Sequence, residues 1–76
     1  MPLNYTIEFT EDMKLKVVQF VRSNGQITNK DCRQLLDLGY DQVIMLFNKM
    51  IQTGELVREG KTSSIRYVLP SINNGN

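Results

Sequence analysis

Residues 28–69, TNKDCRQLLDLGYDQVIMLFNKMIQTGELVREGKTSSIRYVL, decide the fold. Thr28 is an N-cap, and Asp31 stands three residues on in a capping-box arrangement. Cys32, Leu35 and Leu36 form the inward side of a short helix. Leu38-Gly39-Tyr40 is a tight turn. A further helix runs from about Asp41 to Thr53, and Gly54 closes it. Leu56-Val57-Arg58 and Ile65-Arg66-Tyr67-Val68-Leu69 are strand-like, joined by the polar run Gly60-Lys61-Thr62-Ser63-Ser64. The order is therefore helix, turn, helix, hairpin.

One more helix precedes this unit. Thr10 caps it, Glu11 and Asp12 occupy its dipole-favoured first turn, and Asn24-Gly25 ends it. Met13, Val17, Phe20 and Val21 recur at helical spacing, while Leu15 and Val18 point elsewhere. Before it, Leu3, Tyr5, Ile7 and Phe9 alternate with polar residues, which predicts an extended arm. The organisation predicted is an arm over residues 1–9, a domain over 10–69 and a flexible tail over 70–76, where Pro70 stops the last strand.

Composition narrows the functions. Seventy-six residues provide one small core and no deep cleft. There is no His and only one Cys, Cys32, so common zinc sites, thiol-imidazole pairs and internal disulfides are out of reach. The five glycines are scattered and make no phosphate-cradling loop. The reading is a protein that is not an enzyme and has no metal, cofactor or small-molecule substrate. The longest apolar run, Val43 to Phe47, is too short for a bilayer, and MPLNYTIEF has neither the basic start nor the apolar stretch expected of a signal peptide. A cytoplasmic location without membrane contact is the expectation. Cys32, spaced with Leu35 and Leu36, reads as a buried apolar residue.

The elements ITNKDCRQLLDLG, the Val43-Phe47-Met50-Ile51 pattern, the joint Thr53-Gly54-Glu55-Leu56-Val57 and the hairpin REGKTSSIRYVL resemble the winged helix-turn-helix superfamily, in particular MarR-like and related small regulators. The resemblance implies a mainly α fold: three helices as a core, with a two- or three-stranded antiparallel sheet. It also implies double-stranded DNA as partner, with the third helix in the major groove, the wing on the backbone, and transcription regulation as the task.

The residues present are read against that expectation. Asp41, Met45, Asn48 and Gln52 lie on the outward side of the third helix, with Gln42 and Lys49 on one flank. The resemblance implies that Tyr40, Asp41, Gln42, Met45 and Asn48 face the bases, and Lys49 is a further candidate DNA contact. Gln42 and Asn48 suit adenine, and Tyr40 can donate to phosphate. Asp41 opposes phosphate, and the helix has no arginine. In the wing, Arg58, Lys61 and Arg66 cluster with Thr62, Ser63 and Ser64, opposed by Glu59. Asn29 and Lys30 open the second helix, where backbone N–H groups favour an anion. Excess apolar residues on the arm and first helix predict a homodimer through those elements. The net charge of +1, with Asp41, Ile44 and Met45, keeps open a winged helix used for protein docking, and a domain of a larger replication or helicase protein is a further alternative.

Overall fold

The computed structural model describes residues 9–71. Three helices are followed by one antiparallel hairpin: α1 (Glu11–Asn24), α2 (Asn29–Leu36), α3 (Tyr40–Gln52), β1 (Val57–Glu59) and β2 (Arg66–Val68). This is a winged helix-turn-helix, mainly helical with a small sheet.

The caps explain where the helices begin and end. Thr10 Oγ1 accepts from the Met13 N–H at 3.2 Å, and Gly25, at φ 89°, donates back to the Val21 carbonyl. Thr28 and Asp31 satisfy each other's N–H groups reciprocally, at 3.2 and 3.0 Å. Asp37, in the left-handed region at φ 56°, ends α2, so the turn occupies residues 37–39 and α3 begins at Tyr40. Gly39 has no side chain with which to cap α3. Instead Gln42 Oε1 accepts the Gly39 N–H at 2.9 Å.

The core is wholly apolar. Val17, Val21, Ile27, Cys32, Val43, Leu46, Phe47, Met50 and Leu56 are buried, and no polar or charged residue joins them among the described residues. One inward and one outward assignment change. Leu35 is exposed, because an eight-residue helix touches its neighbours along a single stripe, and that stripe is Cys32 and Leu36. Val18, expected to face outward, packs against the core, which covers a wider arc of α1 than one row. Of the arm, Phe9 also packs on this core, while Leu3, Tyr5 and Ile7 lie outside the described residues.

The sheet is joined to the helices through Tyr67. Arg58 pairs with Tyr67 and Glu59 with Arg66 across the hairpin. On its other side Tyr67 exchanges both backbone hydrogen bonds with Ile27, at 2.9 and 2.8 Å, a one-residue remnant of a third strand. The Tyr67 ring lies 4.2 Å, centroid to centroid, from that of Phe47. Gly60, at φ 91°, turns the chain into the short 3-10 turn Thr62–Ser64, and a Cβ there would collide with the Ser64 carbonyl.

Phe47 is fully buried and carries this contact, so Phe47→Ala is expected to cost about 3–5 kcal/mol. That is a large share of the roughly 5–15 kcal/mol of a whole domain. Urea unfolding followed by circular dichroism checks it, and a near-native midpoint would mean that this side of α3 is not the inward one.

Burial, with the neighbouring Asp31 charge, pushes the Cys32 thiol up from 9.0 to about 11. A raised thiol favours the folded state below the unfolded value and loses that advantage at higher pH. Stability should therefore hold below pH 9.0 and fall as pH rises towards about 11. Cys32→Ala should flatten this fall in urea titrations. The native thiol should also react with a disulfide reagent at pH 8 only as fast as the protein opens.

Candidate nucleic-acid interface

The helix-turn-helix places the start of α2 beside the start of α3. Asn29 Nδ2 donates to the Tyr40 carbonyl at 3.3 Å, which ties the two helix ends together. Asn29 Oδ1 is buried and meets no donor in the described residues. Arg33 stands over the Tyr40 ring at 5.7 Å and adds a cation to this end of the turn.

The hairpin folds beside α3 and leaves a groove between them. Asn29 and Lys30 contribute its α2 end, and Tyr40, Ile44 and Asn48 form the α3 wall. Arg58, Thr62, Ser63 and Ile65 form the wing side, with Tyr67 also lining the groove. Seven of the residues proposed from sequence thus converge here: Asn29, Lys30, Tyr40, Asn48, Arg58, Thr62 and Ser63. Lys30 and Arg58 make no ion pair among the described residues, so their charge is free for an anionic ligand.

The other proposed residues stand elsewhere. Gln42 is half-buried and its oxygen is held in the α3 cap, so it does not line the groove. Asp41 is exposed on the first turn of α3. Met45 and Lys49 line a shallow patch with Ile51 and Gln52, and Asn48 borders both surfaces. Met45 is 51% exposed there, a large apolar side chain facing out. Lys61 is exposed at the wing tip. Ser64 and Arg66 line, with Gln26, an adjoining recess that shares Thr28, Ser63 and Ile65 with the groove. Arg66 is also engaged: its guanidinium lies 3.4 Å from Glu59 Oε1 and 3.4 Å from the Ser64 carbonyl.

Sequence reasoning left Thr28, Ile44, Ile65 and Tyr67 out of the site. The spacing of Tyr40, Ile44 and Asn48, one turn apart, carried a signal for Ile44. The alternation of Ile65 and Tyr67 placed both on one side of their strand.

Among the described residues no group of three or more His, Cys, Asp or Glu could hold a metal ion, and no helix is long and apolar enough to cross a membrane. The chain matches no protein-family model and none of the curated proteins compared with it.

Proposed function

We propose that this chain binds double-stranded DNA and regulates transcription, with α3 in the major groove and the wing along the backbone. The observation that carries the reading is the single groove that joins the start of α2, the outer wall of α3 and the wing, with Lys30 and Arg58 on its lining. The N–H groups at the start of α2 and the wing hydroxyls suit phosphate oxygens. An α-helix fits the width of a major groove. The reading needs no cofactor, and it places the protein in the cytoplasm with its DNA. A symmetric dimer would match two half-sites. Leu15, 50% exposed on α1, is the described residue that supports pairing through this helix.

The test is binding to random duplex DNA across a salt series. Affinity should fall as salt rises, because each neutralised phosphate releases counterions. Arg58→Ala with Lys61→Ala should weaken binding to all sequences alike and lower the salt slope by about one unit per lost contact. Both residues are exposed, so the fold should persist. An unchanged slope in the double variant would remove the wing from the interface.

A second reading, docking on a protein, is favoured by the exposed Met45 beside Ile51. Two substitutions separate the readings. If α3 meets DNA, Asp41→Asn should tighten non-specific binding, because a carboxylate near phosphate opposes it. Met45→Lys should then be neutral or strengthen binding. If the face docks on protein, Met45→Lys should abolish an oligomer or partner contact while leaving DNA affinity unchanged. Solution mass and DNA affinity measured on both variants decide between these patterns.

A further inference from the structure

Tyr40, Ile44 and Asn48 stand at successive turns along the α3 wall of the groove. Their chemistry discriminates between base pairs. Guanine is read in the major groove by Arg or Lys placed bidentately on O6 and N7. No arginine occurs in α3, and its one lysine, Lys49, lies on the neighbouring patch rather than in the groove. The groove wall therefore lacks the group that guanine calls for. Two carboxamides could read adenine, but the oxygen of Gln42 is held by the Gly39 N–H. Asn48, exposed on the wall, is left to bridge adenine N6 and N7. Ile44, half-buried between Tyr40 and Asn48, offers a purely aliphatic surface, the partner of a thymine C5-methyl.

We infer that the α3 wall reads A·T pairs, with Asn48 on an adenine and Ile44 against a thymine methyl. The two residues are separated by roughly 6 Å along the helix. That is about two base-pair steps at ~3.4 Å each, so both contacts fall within one short A·T-containing element. The inference rests on the DNA reading above and adds the class of sequence recognised.

The experiment uses the full chain. Bound duplexes are selected from a random library, and each thymine of a selected duplex is then replaced in turn by deoxyuridine, which removes only the methyl. At one position the replacement should weaken wild-type binding by about four-fold, the value of one buried methyl-sized group. Ile44→Ala should bind the thymine and uracil duplexes alike. Ile44 is half-buried, so Ile44→Val is measured beside it and should show a reduced difference if the alanine variant fails to fold. Asn48→Ala should lose about ten-fold in preference for the selected over a random duplex. Indifference to uracil at every position, or selected sites with G·C at the pair that depends on Asn48, overturns the inference. If random duplex is still bound in a salt-dependent way, the DNA reading survives that result. Absence of binding to any duplex overturns both.

Discussion

The contact between Tyr67 and the helices holds the domain in its working shape. A three-residue strand pair has little stability of its own in water. Here its inner strand is bonded twice to Ile27, and its one aromatic ring lies against Phe47 at the centre of α3. Ile27 is itself fully buried in the short link between α1 and α2. One residue therefore fixes the wing to the helix that it flanks and to the link that precedes α2. The groove exists because of that attachment, since its two walls belong to elements that otherwise meet at few points.

Charge is divided along this groove in a way the overall value of +1 conceals. Lys30 at one end and Arg58 on the wing are free cations among the described residues, whereas the α3 wall contributes the uncharged Tyr40, Ile44 and Asn48. Backbone attraction, on the proposed reading, comes from the margins and base discrimination from an uncharged centre. Such a division gives modest general affinity, because few phosphates are neutralised, and leaves a larger share of the binding to sequence.

The helices were legible because each carries local punctuation. Thr10, Thr28 and Gly25 are capping residues whose effect needs no tertiary context, and the structure uses all three as read. The inward pattern of α3 was equally plain, since Val43, Leu46, Phe47 and Met50 share one side and all are buried. Leu35 was misplaced because a helix of two turns has too few residues for periodicity to choose between adjacent leucines. Val18 was misplaced because an outward residue can still be covered from the flank. Of the groove lining, Asn29, Lys30, Tyr40, Asn48, Arg58, Thr62 and Ser63 were legible in the sequence, and Thr28, Ile44, Ile65 and Tyr67 were not. Spacing marks the side on which Ile44, Ile65 and Tyr67 each lie, but they meet only because the hairpin folds back along α3, a long-range event. The use of Gln42 as a cap follows from the glycine at position 39, which has no oxygen to offer in its side chain.

The hairpin also bears on strand pairing between molecules. Tyr67 turns its backbone groups towards Ile27, which makes β2 the inner strand and β1 the outer one. The outer edge of β1 is unpaired among the described residues, and a free edge is a template for sheet growth between molecules. It is three residues long, carries opposite charges on Arg58 and Glu59, and runs directly into the left-handed Gly60. Each of these discourages the addition of a foreign strand. On the proposed reading Arg58 thus has two tasks. The side chain that lends the groove its charge also guards the edge, so selection for weaker ligand affinity at this position would work against colloidal stability.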